Sequence, residues 1–64
     1  MSKIQELRLK KGLSQSQLAI LADMSVRTLQ MLEQEQRDIN KTAVLTVYNI
    51  AKALDVTIEQ LINI

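Results

Sequence analysis

The chain is expected to fold as a compact all-α domain of five short helices, and three observations predict this. Its 64 residues include no proline and one glycine, and they are rich in leucine, glutamine, lysine, alanine and glutamate, all good helix formers. A serine, threonine or asparagine stands before each of five runs with helical periodicity, where its side-chain oxygen can take up a free backbone N–H. Inside the runs, apolar residues recur at helical spacing, as Leu18, Ala19 and Ala22 do.

Ser2 precedes the first run, 2–11, with Gln5 at the third helical position as in a capping box. Gly12 suits the left-handed residue that closes it. Ser14 caps a second helix, 15–22, and Gln17 completes another box. Asp23 and Met24 form a tight turn. Ser25 then caps a third helix, 26–34, whose Leu29 and Leu32 point inward while Arg27, Gln30, Met31 and Gln34 form the opposite arc. Glu35 to Ile39 read as a loop. Asn40 is a good cap for a long helix, 41–54. Asp55 and Val56 connect, and Thr57 with Gln60 opens a last short helix, 58–63.

Composition narrows the function classes. With no cysteine and no histidine, the usual zinc ligands and disulfide staples are missing, and no cofactor is expected. One tyrosine, Tyr48, is the sole aromatic residue, so there is no stacking platform for single-stranded nucleic acid. No catalytic constellation or glycine-rich phosphate loop can be assembled, and an enzyme is not expected. No apolar run is long enough to span a membrane, and the N-terminus lacks the apolar core of a signal peptide; a cytoplasmic location is the expectation. The formal net charge is only +1, but Lys3, Arg8, Lys10 and Lys11 crowd the first helix, and Arg27, Arg37 and Lys41 flank the second half of the 14–33 segment.

Two short helices joined by a tight turn, each with its own serine cap, are the pattern of a helix-turn-helix, whose second helix can lie in the major groove of DNA. The chain resembles the phage repressor and Cro-like family, also called the XRE-type helix-turn-helix family. IQELRLKKGLSQSQLA, MSVRTLQMLE and IAKALDVTIEQL carry the resemblance, over nearly the whole chain. It implies a five-helix repressor-like domain that binds double-stranded DNA at a pseudo-palindromic operator, as a homodimer, and regulates transcription. It implies that Gln15 touches a phosphate and buttresses the recognition helix. Ser25, Val26, Arg27 and Met31 fall at positions that face phosphate or base edges. Arg37, with Asn40, Lys41 and Thr42 at the next helix start, falls in the loop that grips the backbone. Arg8 and Glu33 match an ion pair tying helix one to helix three.

These residues have physical readings of their own. Gln15 can donate and accept beside a helix N-terminus, or it is a plain polar first-turn residue. Arg27 has the planar fork that reads guanine O6 and N7 or clamps a phosphate. Val26 can only touch an apolar group such as a thymine methyl, or pack on the preceding turn. Gln30 can pair with adenine, but it lies off the centre of the arc, where it can equally be solvated. Arg37 suits a phosphate contact or a surface charge.

The sequence also departs from the family. Asp23 replaces the usual turn glycine, and aspartate tolerates the left-handed conformation better than most residues. The loop after helix three lacks its usual glycine and proline. Ile20, Leu45 and Met31 occupy outward positions. On a two-turn helix Ile58, Leu61, Ile62 and Ile64 cannot all face one small core, so some are expected to be exposed; the resemblance implies a two-fold dimer through the last helix and the corner before it, which makes these four the expected dimer interface. Two copies would set two recognition helices about 34 Å apart, one DNA turn. The other reading of the same fold is a protein-interaction module, such as an antitoxin-like partner covering another protein.

Overall fold

The computed structural model describes residues 2–34 and 39–62, with only the backbone of Asn40. Its helices are α1 (Lys3–Lys10), α2 (Gln15–Leu21), α3 (Val26–Glu33), α4 (Val44–Leu54) and α5 (Ile58–Leu61), with one 3₁₀ turn at Ile39–Lys41. No described helix is long and apolar enough to cross a membrane.

Hydroxyl caps start the short helices. Ser2 Oγ accepts from the Gln5 N–H at 3.1 Å. At α2 the box is reciprocal: Gln17 N donates to Ser14 Oγ at 3.0 Å and Ser14 N donates to Gln17 Oε1 at 2.8 Å. Ser25 Oγ accepts from Thr28 N at 3.1 Å and donates to Thr28 Oγ1 at 2.8 Å. Thr57 and Gln60 repeat the reciprocal box at α5.

The ends of α1, α2 and α4 share one device. Gly12, Asp23 and Asp55 all lie in the left-handed region, at φ 74, 54 and 58°. At each, the residue's own N–H reaches back to Leu9, Ile20 or Lys52, and the next N–H reaches the carbonyl of Arg8, Ala19 or Ala51. This is the paired bonding of a Schellman closure, which satisfies carbonyls that the helix end leaves unbonded. Gly12 closes α1 without strain. A Cβ there meets nothing within 4 Å, so Gly12→Ala tests the backbone alone. We expect a loss of about 1 kcal/mol, the left-handed cost of an L-residue less a small unfolded-state gain, read by urea denaturation.

α4 departs from expectation. The helix expected from Lys41 under an Asn40 cap begins instead at Val44, after extended Ala43, and no side-chain oxygen caps it. Asn40 lies inside the 3₁₀ turn, which Thr42 N closes on the Ile39 carbonyl at 3.2 Å. The turn lets Ile39 pack against the core, and that tertiary contact outweighs the capping preference of asparagine. α5 also stops short, since Ile62 is extended; the expected end at Asn63 and the Glu35–Asp38 part of the loop lie outside the described residues.

α2 is the hub, packing on both α3 and α4, while α1 leans on α3 and α5 on α4. Leu18, Leu29 and Ile50, from the three central helices, are the largest wholly buried side chains. Ala19 and Ala22 allow close approach around them, and Ile4, Leu32, Val47, Ala51, Leu54 and Leu61 complete the core. One consequence corrects the sequence reading. Leu61, expected at a dimer interface, is 2% exposed inside the chain's own core, because the Thr57 cap sets α5 with this residue turned onto the core.

Candidate nucleic-acid interface

The turn at Asp23 and the cap at Ser25 aim α3. Its inner side is anchored by Leu29 and Leu32, both buried. The opposite arc presents Arg27, Gln30 and Gln34 to solvent, with Met31 partly buried beside them. Arg27 carries no hydrogen bond or ion pair among the described residues, so its guanidinium is available to a ligand.

A second anchor is polar. Arg8 of α1 and Glu33 of α3 form a buried two-bond pair: Arg8 Nε donates to Glu33 Oε2 at 2.7 Å and Arg8 Nη2 donates to Oε1 at 3.2 Å. Their side chains are 9% and 2% exposed. Arg8 Nη1 also donates to the Leu13 carbonyl at 2.8 Å, tying the junction before α2 to the same point. Gln15 Nε2 donates to Glu33 Oε1 at 3.0 Å, and Gln30 Nε2 donates to Gln15 Oε1 at 3.2 Å. Three helices are thereby pinned together at one end of α3, and no buried side-chain polar atom among the described residues lacks a partner.

The other candidates distribute unevenly. Val26 is partly buried and packs against the core, so much of its side chain is spent inside the fold. Ser25 is exposed, but its hydroxyl serves the α3 cap and Thr28. Lys41 is exposed in the 3₁₀ turn, Thr42 is partly buried after it, and Asn40 contributes backbone there. Arg37 and Ile64 lie outside the described residues. Ile58 and Ile62 are partly buried against the core.

Sequence reasoning missed two features. The amide contact between Gln15 and Gln30 joins positions 15 residues apart and needs the packing of α2 on α3. Val44 and Tyr48 form an exposed strip on α4, at 77% and 48%. The strip leads into a shallow depression shared with Val56, Ile58 and Glu59; Lys52 Nζ sits 6.0 Å from the Tyr48 ring centre. The i, i+4 spacing of Val44 and Tyr48 was the available signal. Ile20 and Leu45 are exposed at 77% and 69%.

Two capped helices joined by a left-handed turn, the second offering a polar arc while its inner face and one end are tied down, make a helix-turn-helix unit of the DNA-binding class. The chain belongs to the helix-turn-helix family of XRE type: the family model described as Helix-turn-helix matches residues 4–61. Among solved structures it is similar to the restriction-modification controller protein C.AhdI from Aeromonas hydrophila. The identity is 32% and the TM-score 0.83, over 92% of this chain and 85% of that one. No curated protein matches the chain. Family and structural likeness together make it a DNA-binding regulator of transcription.

Proposed function

We propose that the chain is a sequence-specific repressor that binds double-stranded DNA as a homodimer, with α3 in the major groove. The observation that carries this reading is the arc of Arg27, Gln30 and Gln34, exposed on a helix whose orientation is fixed by Leu29, Leu32 and the Arg8–Glu33 pair. Arg27 supplies base readout. Gln15, Ser25, Lys41, Thr42 and the backbone at Asn40 border the path of the DNA backbone, and the family resemblance adds Arg37 as a phosphate contact. Met31 and the exposed part of Val26 offer apolar contact to thymine methyls.

Pairing of two copies follows from charge. A chain of net charge +1 makes a weak phosphate partner alone, and a second copy doubles its phosphate contacts. Ile58 and Ile62, with the Val44–Tyr48 strip beside them, are the apolar surface we assign to the two-fold contact. The bound dimer covers a promoter and blocks polymerase. Likeness to a restriction-modification controller protein supports a role in control of transcription.

Selection of bound sites from random duplex DNA tests the reading. We expect a palindromic consensus with half-site centres about one helical turn apart. Enrichment of an asymmetric single site overturns the homodimer. No enrichment at all favours the interaction module, for which Ile20 and Leu45, exposed at 77% and 69%, are the contact candidates.

A further inference from the structure

We propose that Arg27 and Met31 together read a guanine with a 5-methylpyrimidine beside it, so that the chain accepts 5-methylcytosine as it accepts thymine and binds its operator more tightly when that cytosine is methylated. This rests on the DNA-binding reading above and adds to it a response to the methylation state of the DNA.

The two side chains stand one turn apart on α3, about 40° from each other round its axis, on the same outward arc. Arg27 is exposed and bonded to no described residue. Met31 is partly buried, yet it does not join Met24 and Val26 in packing against the core. Its thioether is the apolar group that the arc keeps for a ligand. Leu29 and Leu32, both buried, hold the helix from behind, so the pair is presented on a fixed support. Side chains at i and i+4 lie about 5–6 Å apart, between one and two base steps of about 3.4 Å. A base pair and its neighbour therefore come within reach of the two together.

The chemistry divides between them. Arg27 has only donors, in a planar fork that fits the two acceptors of guanine, N7 and O6. Met31 has no donor and only a weakly accepting sulfur, so it cannot tell the O4 of thymine from the N4 amine of cytosine. What it can take is the methyl group on C5. Thymine and 5-methylcytosine carry the same methyl at the same place, whereas cytosine and uracil carry hydrogen there. A base recognised through this group alone is accepted whether it pairs with adenine or with guanine. Methylation of cytosine then supplies what thymine already has. The flexible thioether packs against a methyl without strict placement, and the apolar stem of Arg27 closes the other side of the same contact.

The test uses the full chain and the duplex selected above, with the pyrimidine beside the selected guanine set in turn to thymine, uracil, cytosine and 5-methylcytosine. Thymine against uracil, and 5-methylcytosine against cytosine, differ by one methyl each with the opposite base unchanged. We expect each methyl to tighten binding about fourfold per half-site, the effect of burying one carbon, and equally in the two pairs. Met31→Leu, still apolar, keeps both ratios. Met31→Gln, of similar length but able to bond O4 or N4, brings both close to one, with melting curves showing that each variant is folded. Ratios of one in the parent overturn the proposal, while specific binding of the selected duplex still upholds the DNA reading. A ratio in the thymine pair without one in the cytosine pair overturns recognition of the methyl alone, and a consensus with no pyrimidine beside the guanine overturns the paired reading. Ratios that persist in Met31→Gln overturn the assignment of Met31; the two parental ratios carry the test even where that variant weakens the fold. Lack of any enrichment by the parent overturns the DNA reading itself, and the proposal with it.

Discussion

Arg27→Ala abolishes specific binding of the selected duplex and leaves the thermal melt where it was. The two halves of this expectation have separate causes. Arg27 is exposed on α3 and bonded to no described residue, so its removal opens no cavity and orphans no partner. Surface changes of that kind usually stay within about 0.5 kcal/mol. On DNA the same side chain is the sole charge of the outward arc. A bidentate arginine–guanine contact gives about 1–3 kcal/mol of discrimination, and a two-fold complex contains it twice. The sum is a large share of the roughly 4–10 kcal/mol that separates specific from non-specific binding.

Arg27→Lys divides the role further. Lysine keeps the charge but not the planar fork. A base contact predicts that Arg27→Lys loses discrimination and keeps the salt dependence of binding; a phosphate clamp predicts near-normal discrimination. Competition titrations of the selected site against scrambled duplex, at two salt concentrations, separate the cases. Undiminished operator binding by Arg27→Ala at moderate salt would place the recognition face elsewhere.

What was legible in the sequence follows the range of the interactions involved. Caps are local, so Ser14, Ser25 and Thr57 mark the starts of α2, α3 and α5. Gly12 announces the left-handed closure of α1 because glycine adopts it without strain. Asp23 was readable as a tolerated substitute in a known turn. Asp55, in the same conformation, read only as a connector, because aspartate is common in many turns. The start of α4 was illegible for the opposite reason. Ala43 carries no capping oxygen, and Asn40, which does, lies within the 3₁₀ turn set by burial of Ile39.

The site follows the same rule. The outward arc of α3 was legible from its periodicity, and the meeting of Arg8 with Glu33 came from family resemblance, not from spacing. The meeting of Gln15 with Glu33 and Gln30 depends on the packing of α2 against α3, which has no local signature. The inward turn of Leu61 was equally hidden, since four apolar residues near a short helix do not say which of them the core takes.

Glu33→Ala is expected to cost about 3–5 kcal/mol, because it strips the buried Arg8 guanidinium of both its carboxylate bonds. Arg8 retains the Leu13 carbonyl, a neutral acceptor at 2.8 Å that cannot balance the charge. A domain of 64 residues has only about 3–10 kcal/mol of stability in total, so this one change removes much of it. The melting temperature should fall by about 15–30 °C, followed by circular dichroism; a fall of less than about 5 °C would mean that the pair is not the buried anchor described. Replacing both partners, Arg8→Met with Glu33→Leu, removes the charge together with its need for a partner, and apolar replacements of buried ion pairs are often neutral or stabilising. That double variant should melt near the parent. It also leaves the Gln15 amide without the Glu33 acceptor at the end of α3. Recovered stability would show that what α1 and α3 need at this point is a filled, satisfied contact, and that the loss in Glu33→Ala comes from an unpaired buried charge rather than from the absence of an ion pair.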